Sequence, residues 1–124
     1  MNATSEVEIL RSIVRGERDL EALTTLGARL NVTADGLQLD EPADAPVYEP
    51  SIRDVALGLI CHWAVGTTLQ AWARVLLATG MIDLSCVEDH VDGDALLGAL
   101  WDAAEGSDID EHQLGIARRL AATS

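Results

Sequence analysis

The chain has 124 residues, of which 48% are hydrophobic, so it can bury a core as a single domain and is not a disordered chain. It has 21 acidic and 8 basic residues, which give a formal net charge of −13 at pH 7. This charge disfavours nucleic-acid binding, because the phosphate backbone would be repelled. With three Trp, one Tyr and no Phe, the core must be built from aliphatic residues and alanine, which is typical of helix packing.

The N-terminal part of the chain carries two short helical patterns. Residues 5–8 (Ser-Glu-Val-Glu) have the form of a capping box, and apolar residues then recur at helical spacing until Gly16. A second pattern follows in leucines three or four residues apart: Leu20, Leu23, Leu26 and Leu30. We expect two short helices here.

The pattern changes after residue 30. Asp35-Gly36 is a turn dipeptide, and the residues on both sides of it alternate as in short strands. We therefore predict a minor β-hairpin near residues 31–39. An acidic loop with two prolines follows in residues 40–46.

A strongly apolar stretch, residues 51–80, contains two of the three tryptophans. Ser51 and Asp54 form a capping box ahead of one continuous apolar stripe: Ile52, Val55, Ala56, Leu59, Ile60 and Trp63. Gly66 interrupts this pattern. A second capping box, residues 67–70, then introduces another stripe: Leu69, Trp72, Ala73 and Leu76.

Gly80 stands where the C-cap of the second helix is expected. We predict that residues 51–80 form a buried helical hairpin. A membrane span is disfavoured, because His62, Gln70 and Arg74 would be costly to bury in lipid and because a glycine and a capping box interrupt the run.

Two more helices are predicted near the C-terminus. Asp92 is the expected N-cap of a helix over residues 94–105, whose buried face would be Leu96, Leu97, Leu100, Trp101 and Ala104. A last helix would begin at Asp108 or Asp110. The predicted fold is all-α: a single helical domain over residues 1–124, with five or six helices in a compact bundle around the central hairpin.

No motif in the chain predicts catalysis or a bound cofactor. Phosphate loops, dinucleotide fingerprints, nucleophile elbows and the H-E-x-x-H zinc motif are all lacking. Cys61 and His62 are adjacent, so on a helix their side chains point about 100° apart and do not pair. Cys86 and His90 have no second pair of zinc ligands, and residues 92–94 (Asp-Gly-Asp) are only a fragment of a calcium loop. We predict no catalytic, cofactor-binding or metal-binding residue.

The most unusual feature is a run of acidic residues. Between Arg74 and Arg118 there are ten acidic side chains and no basic one. Charges of one sign at this density repel each other, and a cationic partner would offset that cost. Helix capping accounts for some of these acids. The residues predicted to bind a basic partner are Asp83, Glu88, Asp89, Asp92, Asp94, Asp102 and Glu105.

The sequence leaves three functions open. The favoured one is a non-enzymatic acidic protein-interaction domain, such as an immunity protein or antitoxin that neutralises a basic toxin. The second is a homo-oligomeric structural or accessory subunit, for example a homodimer, with its interface in the apolar residues 51–82. The third is a small ligand-binding helical bundle or enzyme with a pocket near Gly58, His62 and Trp63, because the glycine leaves room beside the imidazole.

The cellular setting is also predicted from composition. The N-terminus lacks the basic and then apolar segment of a signal peptide, which predicts a cytoplasmic protein. We expect reduced cysteines there, with Cys61 packed as a small buried hydrophobic residue. All eight basic residues are arginine, which indicates a GC-rich bacterial genome.

Overall fold

The computed structural model describes residues 3–18, 20–33, 36–41, 47–65 and 69–122. Within these residues the fold is a helical bundle with one small antiparallel sheet, which confirms the predicted fold class. Its elements in chain order are α1 (Ala3–Val14), a 3₁₀ helix (Leu20–Leu26), β1 (Arg29–Thr33), β2 (Gly36–Asp40), α2 (Ile52–Val65), α3 (Leu69–Ala78), α4 (Ser85–Asp89), α5 (Gly93–Ala104) and α6 (Glu111–Ala122). None of the described helices is long and apolar enough to cross a membrane.

The predicted β-hairpin is confirmed. Strands β1 and β2 pair antiparallel, with Leu30 opposite Leu39 and Thr33 opposite Gly36. Leu30 and Leu39 are half-buried against the main core. Residues 34 and 35, which include the first half of the turn dipeptide, lie outside the described residues.

Two helices begin with side-chain caps of the predicted kind. At α2, the Asp54 backbone N donates to Ser51 Oγ, and the Ser51 backbone N donates to Asp54 Oδ2, both at 3.3 Å. At α6, the Gln113 N donates to Asp110 Oδ1 at 2.8 Å, and the Asp110 N donates to Gln113 Oε1 at 3.2 Å. The reciprocal bonds satisfy backbone donors that a helix start leaves open, so Asp110 is the cap of the last helix.

Other predicted helix ends are different in the structure. Helix α1 begins at Ala3, so residues 5–8 lie inside it rather than capping it. Helix α3 ends at Ala78, and Gly80 does not adopt the left-handed conformation expected of a C-cap. The Glu41 carboxylate holds this end instead, because its Oε1 accepts from the Gly80 backbone N at 2.9 Å. Half of the second capping box, residues 67 and 68, lies outside the described residues.

The core lies where α2 and α3 meet the C-terminal helices. Helix α2 packs mainly against α6 and α3 mainly against α5, so the central pair is enclosed by the C-terminal half of the chain. The largest side chain with no exposed surface is Trp72, whose Nε1 donates to the Ile13 carbonyl oxygen at 3.2 Å. This bond ties α1 to the centre of the bundle.

Three residues predicted to be buried are exposed. Trp63, in the last turn of α2, is 41% exposed, and the neighbouring His62 is buried instead, with its ring stacked on Trp72. Cys61 is also exposed, and its Sγ donates to the Gly16 carbonyl oxygen at 3.5 Å. Trp101 is the third and the most exposed, at 58%.

The exposure of Trp101 follows from the orientation of α5. Its buried residues are Gly93, Leu96, Ala99, Leu100, Ala103 and Ala104. Successive residues of an α-helix are about 100° apart around its axis. The centre of this buried face therefore lies roughly 50° around the axis from the centre of the face predicted from the large apolar residues. The small side chains of Ala99 and Ala103 let α5 lie close to its neighbours, and a search for large apolar residues gives them little weight.

Candidate protein-binding surface

Three of the seven acids predicted to bind a partner make hydrogen bonds within the protein. Asp83 Oδ1 accepts from Ser85 Oγ at 2.5 Å and from the Ser85 backbone N at 3.0 Å, and these bonds hold the pKa of Asp83 below its ordinary value. Asp102 Oδ2 accepts from Gln113 Nε2 at 3.3 Å. The third, Asp92, is described next. Each of these carboxylates therefore has a structural role of its own.

Asp92 occupies the predicted N-cap position of α5, but its side chain does not cap that helix. Its Oδ2 accepts from Arg119 Nη2 at 2.6 Å, which forms an ion pair between the start of α5 and the end of α6. The His90 ring takes part in the turn instead, because its Nδ1 accepts from the Asp92 backbone N at 3.0 Å. Asp92 thus joins two helices.

The other four predicted acids are exposed, and we call them the α4–α5 acidic surface: Glu88, Asp89, Asp94 and Glu105. Helices α4 and α5 pack against each other. Among the described residues, none of these four carboxylates lies within ion-pair distance of an arginine. Their charges face solvent, and none of the described arginines pairs with them.

A favourable position at the start of a helix does not account for two of these four acids. Asp89 is the last residue of α4, and Glu105 directly follows α5. A negative charge at a helix C-terminus is unfavourable, because the carbonyl groups there already carry partial negative charge. Asp94 lies in the first turn of α5, and Glu88 lies in the first turn of the short helix α4, where the helix dipole favours an acid.

The two arginines that border this part of the sequence each contact a group other than these carboxylates. Arg74 Nε donates to the Ala104 carbonyl oxygen at 2.9 Å, at the C-terminal end of α5. The Arg118 guanidinium lies over the ring of Trp63, 5.4 Å from its centroid. Neither arginine lies within ion-pair distance of an acid of the α4–α5 acidic surface.

A shallow apolar depression lies between α3 and α5, next to this surface. It has a volume of about 270 Å³ and is lined by Arg74, Leu77, Ala78, Trp101 and Ala104. Prediction from sequence missed it, because Trp101 was assigned to the core. A helical plot that includes the small residues of α5 could have found it.

A larger cleft of about 710 Å³ lies beside Trp63, where the end of α2 and the start of α3 face α6. Its walls combine apolar and charged side chains: Trp63, Leu69, Ser107, Asp108, Ile109, Glu111, Leu114 and Arg118. Of the residues predicted for a ligand pocket, only Trp63 lines this cleft.

The space expected beside Gly58 and His62 is filled. A Cβ atom at Gly58 would lie 1.9 Å from the Val14 carbonyl oxygen and 2.5 Å from Cζ2 of Trp72. The His62 ring stacks on Trp72, with the two centroids 5.2 Å apart. Gly58 therefore allows close packing of α2 against α1 and Trp72, and these described residues occupy the space beside it.

Cys86 lies beside a carboxylate. Cys86 Sγ donates to Glu49 Oε1 at 2.6 Å, and this bond to a carboxylate raises the pKa of the Cys86 thiol. A raised pKa disfavours the nucleophilic thiolate. Across the described residues, no group of three or more His, Cys, Asp or Glu side chains is placed to hold a metal ion.

Comparison with known proteins adds no relative. No protein-family model, no curated protein sequence and no solved structure matches the chain.

Proposed function

We propose that this protein is a non-enzymatic binding protein that uses its α4–α5 acidic surface to bind a basic protein. The observation that carries this proposal is the placement of four exposed carboxylates that pair with no described arginine, two of them at helix C-termini. An immunity protein or antitoxin of the bacterial cytoplasm, which blocks a cationic toxin, is the kind of protein this arrangement suits.

The physical argument is electrostatic. Exposed like charges repel within the free protein, and a basic partner relieves that repulsion when it binds. The net charge of −13 also attracts a cationic protein before contact. Because the Debye length is about 8 Å at physiological ionic strength, this attraction weakens as salt is added.

A homodimer through this surface is less favourable. Two copies related by a twofold axis bring the same residues together, so Asp94 and Glu105 of one copy would face acids of the other. Gel filtration or light scattering at micromolar concentration distinguishes the two, since we expect a monomer.

A second candidate is small-molecule binding in the cleft beside Trp63, because its volume lies within the range of about 300–1,000 Å³ that ligand pockets have. A bound compound would raise the Tm of the wild type and not that of Trp63→Ala. If no compound in a thermal-shift screen raises the Tm of the wild type more than that of Trp63→Ala, this candidate function is wrong.

The proposal is tested by affinity capture with charge-matched variants. The neutralised variant carries E88Q, D89N, D94N and E105Q, and the distal control variant carries E8Q, E17Q, E21Q and D40N, four exposed acids outside α4 and α5. Both variants have the same net charge. They are immobilised beside the wild type and exposed to extract of the native cell at about 0.05 M and about 0.5 M salt.

We expect a basic protein that the wild type and the distal control variant retain at low salt, that high salt releases, and that the neutralised variant does not retain. Loss of the captured protein from both variants would show that only total charge matters. Capture that does not change with salt would also contradict the proposal.

A further inference from the structure

The depression around Trp101 has the composition of an interface centre. A tryptophan offers a large apolar area and a π-face that attracts cations, and here 58% of it faces solvent. Leu77 and Ala78 of α3 extend the apolar floor. Tryptophan and arginine are the residues that contribute most often to binding energy at the centres of protein interfaces.

Acids flank Trp101 on its own helix face. At 100° per residue, Asp94, Trp101 and Glu105 lie within about 40° of one another around the axis of α5. Asp94 precedes Trp101 by about 10 Å along the axis, and Glu105 follows it by about 6 Å. Both acids are exposed and neither is in an ion pair with a described arginine.

Among the described residues, no arginine lies over the face of this ring. Arg74 is the one basic residue that lines the depression, and its Nε donates to the Ala104 carbonyl oxygen. Arg118 instead covers Trp63, at 5.4 Å from the ring centroid. In the described part of the chain, Trp63 thus has an arginine over its face and Trp101 does not.

We infer that Trp101 is the anchor of the partner interface and that its occupant is an arginine or lysine of a basic protein segment. The cationic end lies over the indole and between Asp94 and Glu105, and the aliphatic stem covers Leu77 and Ala78. This inference rests on the proposed function and specifies what the partner must present.

The test uses nona-arginine peptide as the probe and isothermal titration calorimetry at about 0.1 M salt as the measurement. Trp101→Ala removes the anchor, and Trp63→Ala is the matched control, since it removes the other exposed tryptophan. D94N/E105Q removes the flanking acids, and E17Q/E21Q removes two exposed acids at the other end of the chain.

We expect Trp101→Ala to weaken binding at least about tenfold and Trp63→Ala to change it less than about twofold. We expect D94N/E105Q to weaken it more than E17Q/E21Q does. In the wild type, the indole N–H resonance of Trp101 should shift during titration while those of Trp63 and Trp72 stay in place, and this measurement needs no folded variant.

The outcomes separate the two proposals. If D94N/E105Q weakens binding but Trp101→Ala does not, the acidic surface binds the probe and the anchor is wrong. If D94N/E105Q and E17Q/E21Q weaken peptide binding equally, both the anchor and the proposed function are wrong. If the wild type is a dimer that Trp101→Ala dissociates, the occupant is a second copy and the inference is overturned.

Discussion

Asp54 connects three segments of the chain through its two carboxylate oxygens. Its Oδ2 accepts from the Tyr48 hydroxyl at 2.5 Å and from the Ser51 backbone N at 3.3 Å, while Oδ1 pairs with Arg15 Nε at 3.3 Å. The carboxylate is buried, so these partners replace the water that it loses. One side chain thus joins the residue after α1, the loop before α2 and the first turn of α2.

Neutralising this carboxylate should destabilise the fold. We expect Asp54→Asn to lower the free energy of unfolding by about 2 kcal/mol, because it leaves Arg15 without its counter-charge and weakens the bond from Tyr48. Urea unfolding measures the change. Asp40→Asn, at an exposed position, should change it by less than about 0.5 kcal/mol. Equal losses in the two variants would contradict this role.

Tyr48 is the one tyrosine in the sequence, so its ionisation can be followed directly. Burial, and then the hydrogen bond and negative charge of Asp54, raise the pKa of Tyr48 well above its ordinary value. The native state then keeps a proton that the unfolded state loses near pH 10, so stability should fall as the pH rises above about 10.

The near-ultraviolet absorbance of tyrosinate, measured with unfolding at each pH, checks this expectation. Because the sequence has no lysine, few other groups titrate in this range. In the Tyr48→Phe variant, the free energy of unfolding should fall much less above pH 10 than it does in the wild type. A tyrosinate signal that develops near pH 10 while the protein remains folded would show that the Tyr48 pKa is not raised.

At the scale of elements, close contact determines how α2 is positioned. Gly58 lies against the Val14 carbonyl oxygen and Trp72, where a Cβ would have no room. Trp72 is tied to the last turn of α1 through its bond to Ile13. The glycine therefore sets the distance between α1 and α2.

Alanine at Gly58 should destabilise the protein although alanine favours helices. We expect Gly58→Ala to lower the free energy of unfolding by about 2 kcal/mol or more, since the overlap outweighs a gain in helix propensity of about 1 kcal/mol. Gly115→Ala in α6 is the matched control, because a Cβ there meets no atom within 4 Å. It should stabilise by up to about 1 kcal/mol. Similar results from urea unfolding of both variants would contradict the packing role.

The elements were predictable from sequence because their signals are local. The capping box of Ser51 and Asp54 and the alternation around Gly36 depend on residues next to each other in the chain. The orientation of α5 was not predictable in this way, because it depends on close contacts made by Ala99 and Ala103. The exposure of Trp101, and with it the proposed anchor, follows from that orientation.

The acids of the candidate surface were visible in the sequence, but their different roles were not. Asp92 has the spacing of an N-cap and forms an ion pair with Arg119, 27 residues away. Glu105 has the same chemistry and no described ion-pair partner. Only the arrangement of α5 and α6 separates these two acids, and local spacing carries no information about it.

At the scale of the whole molecule, repulsion between acidic side chains lowers the stability of the folded state. The chain carries a net charge of −13, and its described arginines form two ion pairs, those of Asp54 and Asp92. The α4–α5 acidic surface adds repulsion that the free protein does not relieve. A surface kept at the expense of stability is common where a protein binds a partner.

Neutralising this surface should stabilise the free protein. We expect the neutralised variant to exceed the wild type by roughly 1 kcal/mol in free energy of unfolding at low salt, because the changes relieve repulsion between exposed like charges and two of the four remove acids from helix C-termini. The difference should shrink at about 1 M salt, where the Debye length is about 3 Å. A variant that is less stable than the wild type in urea unfolding at low salt would show that these acids support the fold.

The most direct measurement is the Kd of the captured basic partner, purified, for three proteins: the wild type, the neutralised variant and the distal control variant. We expect the neutralised variant to bind at least about tenfold more weakly than the wild type, and the distal control variant to stay within about threefold. Because the two variants have equal net charge, this difference can arise only from the position of the charges. Equal Kd values for the two variants would contradict a binding role for the α4–α5 acidic surface.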